Sequence, residues 1–159
     1  MAVLSLGCSL MRVLLQRCSR ARVSVDDEVV GEIGPGLVAF VGTTDGDDFA
    51  IARGLARRVA GYRVFSDADG RTNLSVLTTG GQVLVVPQFT LYADTKKGTR
   101  PSFVRAGEPG LARQLVDAFE EGLREEGVGT SSGVFGATMS VELVNEGPFT
   151  ILLEKTSPS

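Results

Sequence analysis

The chain reads as an α+β domain: antiparallel β-sheets closing into a barrel- or sandwich-like core, with two main helices packed outside. Three observations predict this. Short β-like runs recur along most of the length, with many of the 20 glycines and 6 prolines falling between them as punctuation. Only two stretches carry a 3.6-residue apolar repeat. At 159 residues the chain is long enough for one sizeable core, and no apolar run approaches the roughly 20 residues that span a bilayer.

In RVLLQRCSRARVSV, Val13, Leu15, Val23 and Val25 alternate with polar neighbours, which predicts a strand. DDEVVGEIGPGLVAFVG predicts a turn and two strand-like runs separated by Gly34–Pro35–Gly36. Its GEIGPG is a poor phosphate loop, because it lacks the lysine that such loops need. Asp45 or Asp47 is placed to cap the first helix, with Ala52, Leu55, Ala56 and Val59 on one face and Arg53, Arg57 and Arg58 largely on the other. DADGRTN has the composition of a hairpin loop.

VLVV, within GGQVLVVPQFTLYADT, is the most strand-like run and the expected central strand, interrupted at Pro87. The second helix is expected from near Pro109, burying Leu111, Leu115, Ala118, Phe119 and Leu123. Glu120 and Arg124 form an i,i+4 pair along it, and Gly127 ends it. VFGATMSVELVNEGPFTILLE returns to β. Gly147–Pro148 breaks it, since proline donates no ladder bond; turn chemistry alone makes this a turn between two strands.

Composition excludes several chemistries. Histidine is absent, so there is no Ser-His-Asp or Cys-His site and no zinc site built on imidazole. Cys8 and Cys18 are too few for a thiolate zinc site and do not read as a disulfide framework, which fits a reducing cytosol. With a net charge of −3 no global field draws in a polyanion, so any such contact falls to local clusters. These are Arg12, Arg17, Arg20 and Arg22 at the start, and Lys96, Lys97, Arg100 and Arg105 in the middle; solvated faces are the alternative. No acid precedes Asp26, as in a transit peptide, yet MAVLSLGCSL lacks the basic start of a secretory signal. Residues 1–10 are assigned to an N-terminal extension, 11–154 to a single domain and 155–159 to a tail.

Met11-Arg12-Val13, Gln16-Arg17, GEIGPGL at 31–37, FSDADGRTNLS at 65–75, PQFTLYADTKKGTRPSF at 87–103 and FGATMSVELVNEGPFT at 135–150 together resemble the D-aminoacyl-tRNA deacylase family over about residues 11–154. The specific motifs are Pro87-Gln88-Phe89-Thr90-Leu91, matching the family's Ser-Gln-x-x-Leu, and Asn145 to Thr150, matching Asn-x-Gly-Pro-x-Thr.

The resemblance implies a cytoplasmic homodimer that hydrolyses the ester between a D-amino acid and tRNA, without metal, cofactor or membrane. Gly147–Pro148 of one subunit, its peptide bond cis, would enter the other's active site and filter chirality. Arg17 would brace that loop, and Met139 would line the pocket. Backbone N–H groups around Gln88, Phe89 and Thr90 would serve as oxyanion donors. Thr90 would position substrate, with a role as nucleophile as the alternative. Phe89 would shape the adenosine pocket or be a core residue. Lys96, Lys97 and Arg100 are the candidate tRNA contacts. Pro87 departs from the family's serine and resembles a branch that removes L-alanine, whereas Arg17 and Asn145 match the D-specific pattern. A nucleic-acid-binding protein using the fold without catalysis is the reading from a different class, and a small-substrate esterase is disfavoured by the missing histidine.

Overall fold

The computed structural model describes residues 9–156. Its elements are β1 (Ser9–Val25), β2 (Glu28–Ile33), β3 (Gly36–Gly42), α1 (Phe49–Gly61), β4 (Phe65–Ser66), β5 (Thr72–Leu74), α2 (Val76–Thr79), β6 (Gln82–Pro87), a 3₁₀ helix (Phe89–Tyr92), α3 (Pro109–Glu125), β7 (Gly129–Ser132) and β8 (Ser140–Thr156). The sheet takes in Ser9, Leu10, Lys155 and Thr156 from the segments assigned above to extension and tail. Cys8 and the remainder of both segments lie outside the described residues.

β1 organises the sheet. One edge pairs with β8, and the other pairs with β3 and then β2, all antiparallel. The pairs Arg12↔Gly42 to Cys18↔Gly36 and Ala21↔Ile33 to Val23↔Gly31 continue a single register. Gly34–Pro35 is therefore a bend within one long partner of β1. Gly36 allows a close approach beyond the bend, because a Cβ there would lie 1.8 Å from the Gln82 carbonyl oxygen.

The expectation of antiparallel sheets needs one correction: β3 pairs β6, and β6 pairs β7, in parallel. α1 separates β3 from β6 and α3 separates β6 from β7 in the chain, and such crossovers return it to the same end of the sheet. At the far side the Glu32 N–H donates to Ser131 Oγ at 3.1 Å, which brings β7 back towards β2 and leaves the sheet a nearly closed barrel.

Two apolar clusters fill the domain. Met11, Val13 and Leu15 of β1, Leu37, Ala39 and Val41 of β3, and Val83 and Val85 of β6 pack with α1 and α3. Val38, Leu84 and Val86 face the other way, onto Cys18, Ala21, Val23 and Ile33. Burial on both faces is why VLVV reads as an unbroken apolar run.

The helix ends differ slightly from the sequence reading. Asp48, with extended φ −138° and ψ 175°, caps α1 by accepting from the Ile51 N–H. Asp47 is instead turned inward, accepting from the Met11 and Thr44 N–H groups at 2.7 and 2.8 Å; burial raises its pKa, and the two N–H bonds oppose that rise. In α3 the buried stripe begins at Ala112 and runs through Leu115, Val116, Phe119 and Leu123, while Leu111 in the first turn is exposed. Glu120 and Arg124 pair at 2.9 Å as expected. Gly127, at φ 96°, receives the end of the helix.

Candidate active site

β6 ends at Pro87, where the chain leaves the sheet and turns into the 3₁₀ helix. This junction forms one wall of a cavity of about 680 Å³. Pro87, Gln88, Phe89, Thr90 and Met139 all line it, so these five sequence-predicted residues are brought together. Thr43, Phe103, Ala112 and Val116, Phe135 and Thr138 complete much of the wall. Gly133 seats Met139: a Cβ at Gly133 would lie 2.6 Å from the Met139 sulfur. No ionisable side chain is among the described residues that line the cavity.

The first N–H groups of a 3₁₀ helix have no partner within it. Among the described residues, the N–H groups of Phe89 and Thr90 donate to no protein acceptor, and both residues face the cavity. Thr90 Oγ1 accepts from the Gln88 side-chain amide at 2.8 Å, so the partner recorded for it is an amide rather than a base. Phe89 is 59% exposed, against the core reading, and meets Phe103 edge-to-face with ring centroids 5.2 Å apart.

The Gly147–Pro148 break lies elsewhere, and it is not a turn between two strands. β8 is one strand, with Cys18↔Asn145 and Gln16↔Thr150 as successive pairs around the break. Arg17 alone therefore stands opposite residues 146–149, which bulge outward. The Gly147–Pro148 bond is cis. Asn145 Nδ2 closes the bulge by donating to the Arg17 and Phe149 carbonyls at 2.9 and 3.2 Å. Arg17 donates to the Glu146 carbonyl at 3.2 Å and to the Val64 carbonyl at 2.6 Å, with its guanidinium 4.2 Å from the Phe149 ring centroid. Gly147, Pro148, Arg17 and Asn145 thus form a second constellation, none of it lining the cavity of its own chain.

Lys96, Lys97 and Arg100 occupy a third position. They sit on a tip closed by the antiparallel bridge Asp94↔Ser102 and outside the cavity lining; the segment returns through Phe103 to the cavity mouth. Sequence reasoning missed Phe103 and Phe135, although both stand in the stretches that carry the family resemblance, 87–103 and 135–150. An exposed aromatic cannot be told from a buried one without its neighbours. The missed helical wall, Ala112 and Val116, had a visible signal in the α3 stripe.

The family model described as D-Tyr-tRNA(Tyr) deacylase matches residues 14–154. A D-aminoacyl-tRNA deacylase of Thermomicrobium roseum is 56% identical over 91% of this chain and 94% of the relative. One from Salmonella paratyphi A is 52% identical over 91% of this chain and 99% of its own length. Among solved structures, a c-Myc DNA unwinding element binding protein aligns with a TM-score of 0.84 and 34% identity, covering 93% of this chain and 99% of the other. A probable eukaryotic D-amino acid tRNA deacylase aligns with a TM-score of 0.80 over 91% and 99%, and at 19% identity it speaks to the fold alone.

Proposed function

The chain belongs to the D-Tyr-tRNA(Tyr) deacylase family and is an aminoacyl-tRNA ester hydrolase, and from that premise we propose how its residues divide the work. It hydrolyses the ester of D-aminoacyl-tRNA, releasing D-amino acid and free tRNA, a step of chiral proofreading in translation. The observation that carries the mechanism is a cavity with two unbonded backbone N–H groups and no ionisable side chain among its described lining.

Water attacks the acyl carbon, the ester C–O bond breaks, and the 3′-hydroxyl is regenerated. The Phe89 and Thr90 N–H groups receive the carbonyl oxygen as it becomes an oxyanion. Each good donor is worth roughly 3–4 kcal/mol, so two supply on the order of 10⁵ in rate. Proton transfer falls to the substrate's own vicinal 2′-hydroxyl. The Thr90 side chain, held by Gln88, positions rather than attacks. Exposed Phe89 and Phe103 offer a stacking surface for the terminal adenine, with Lys96, Lys97 and Arg100 meeting phosphates beyond it.

Chirality is read by the bulge of a second copy. Among the described residues β8 pairs with β1 alone, leaving a long edge with Val144 and Leu152 exposed, which a second copy covers. The exposed Gly147–Pro148 bulge then enters the partner's cavity. Its backbone clamps the substrate ammonium so that a D side chain points out and an L side chain meets backbone. Such steric exclusion depends little on side-chain identity. The place of action is the cytosol; no described helix is long and apolar enough to cross a membrane.

Matched D- and L-Tyr-tRNA test this reading. D-Tyr-tRNA should be cleaved at least about 100-fold faster, some 2.7 kcal/mol of discrimination, and glycyl-tRNA should also be cleaved. Pro87→Ser should change rates modestly and leave the ratio alone. Equal cleavage of L-Ala- and D-Ala-tRNA, with Pro87→Ser abolishing only the former, would assign the chain to the relaxed branch. A second reading, nucleic-acid binding without catalysis, draws on the 34% identity to a DNA unwinding element binding protein. Tight binding with no turnover of any aminoacyl ester would establish it.

A further inference from the structure

The wall that presents the Phe89 and Thr90 N–H groups is a single 3₁₀ turn, a geometry with poor hydrogen bonds of its own. The Leu91 N–H donates to the Gln88 carbonyl at 3.2 Å and the Ala93 N–H to the Thr90 carbonyl at 3.0 Å, while the Gln88 N–H ties the start of the turn to the Val41 carbonyl at 2.7 Å. So short a turn gains from further contacts outside itself. Tyr92, its last residue, is fully buried, yet its phenol oxygen has no hydrogen-bond partner among the described residues. A buried tyrosine normally satisfies its hydroxyl, so here the ring is the functional part.

Two guanidinium groups face that ring. Arg12 lies 4.7 Å from its centroid and Arg105 lies 5.7 Å away. Arg12 also donates through Nη1 to the Leu91 carbonyl at 2.7 Å and through Nε to Glu154 at 2.9 Å. Arg12 and Glu154 are directly paired positions of β1 and β8, so this ion pair belongs to the sheet. Arg105 belongs to the segment beyond Phe103, where its carbonyl accepts from Thr44 Oγ1.

We propose that Arg12 is a positioning residue: with Glu154 and the Tyr92 ring it locks the 3₁₀ turn to the sheet and so aims the Phe89 and Thr90 N–H groups into the cavity. Only a planar, forked cation can stack on the ring while serving a carbonyl and a carboxylate from different nitrogens. A lysine can meet one of these partners at a time. The catalytic meaning of the lock rests on the proposed deacylase reading, whereas the lock itself is a structural claim.

The test compares wild type with Arg12→Gln, Arg12→Lys and Tyr92→Phe in the full chain. Amide hydrogen exchange of the peptide spanning residues 88–93 is read beside D-Tyr-tRNA turnover. Arg12→Gln should speed exchange in that peptide at least about tenfold while leaving the rest of the sheet unchanged. It should lower kcat by about tenfold and keep KM within about twofold, with Arg12→Lys in between. Tyr92→Phe, which keeps the ring, should leave exchange at 88–93 as in wild type. Unchanged exchange in Arg12→Gln, or faster exchange spread across the whole sheet, overturns the lock. Unchanged kcat beside faster local exchange overturns its catalytic role. A wild-type chain inactive on D-Tyr-tRNA overturns the deacylase reading and the catalytic half of this inference, and the exchange pattern still decides the lock.

Discussion

Replacing Arg17 by lysine separates the bulge from the chemistry. Arg17 reaches three groups at once: the Glu146 carbonyl at 3.2 Å, the Val64 carbonyl at 2.6 Å and the Phe149 ring at 4.2 Å. A lysine ammonium on its flexible stem takes one carbonyl and loses the flat stacking. The loss is one hydrogen bond to a charged donor, about 1.5–3 kcal/mol, and a share of an exposed cation–π contact, about 0.5–1 kcal/mol. The Glu146 bond is exposed, so the low end applies and the sum is about 2 kcal/mol. Because the bulge touches no wall of its own cavity, under the proposed shared site this loss should appear in how firmly it is presented to a second copy's cavity. Single-turnover cleavage of D-Tyr-tRNA should fall about 30-fold, the equivalent of 2 kcal/mol. Urea melts should show a comparable or smaller loss of stability. A folded Arg17→Lys protein that cleaves D-Tyr-tRNA within threefold of wild type, with an unchanged D/L ratio, would refute the bracing argument.

The remaining predictions concern the cavity, the basic tip and the buried thiol. Thr90→Ala should keep at least about a tenth of the single-turnover rate; a folded variant slowed about 10⁴-fold, close to 5.5 kcal/mol, would make the hydroxyl the nucleophile. The rate should show no bell between about pH 6 and 8.5, since a bell requires an acid–base pair that the described cavity lining lacks. Alanine at both Lys96 and Lys97 should weaken tRNA binding and flatten log K against log salt by about 1.5, and an unchanged slope would move the phosphate contacts elsewhere. Burial pushes the Cys18 thiol from 9.0 up to about 11, a backbone hydrogen bond from Gly36 opposing. The stability gained by keeping it neutral is fully present below about pH 9 and lost as pH rises through about 11. Iodoacetamide at pH 8 should therefore label native Cys18 at least about 50-fold more slowly than in urea; equal rates would contradict its burial.

Local interactions explain what was legible beforehand. The α3 stripe, its Glu120–Arg124 pair and its glycine end involve residues within about one turn of each other, so their spacing is written in the chain. The same holds for the apolar alternation of β1 and for the loop between β4 and β5, where the Asp67 side chain accepts from the Asp69 and Arg71 N–H groups. The cap of α1 was less legible: Asp45 or Asp47 was expected, and the neighbouring Asp48 takes the role. What decides it is the Met11 N–H, which draws the Asp47 carboxylate inward from 36 positions away.

The sequence by itself determined the class of fold, most of the elements and the family, through periodicity, caps and two motifs in order. Tertiary structure alone decided that β3, β6 and β7 run parallel, that Gly34–Pro35 bends one strand, and that Gly147–Pro148 bulges from another. It also decided that a single chain holds its pocket and its bulge apart, and that Phe89 faces outward. Capping and periodicity act over a few residues, whereas a bulge exists only relative to the register of its partner strand. The brace joining Arg17 to Glu146 spans 129 positions, and no local pattern encodes a contact that only the closed sheet creates.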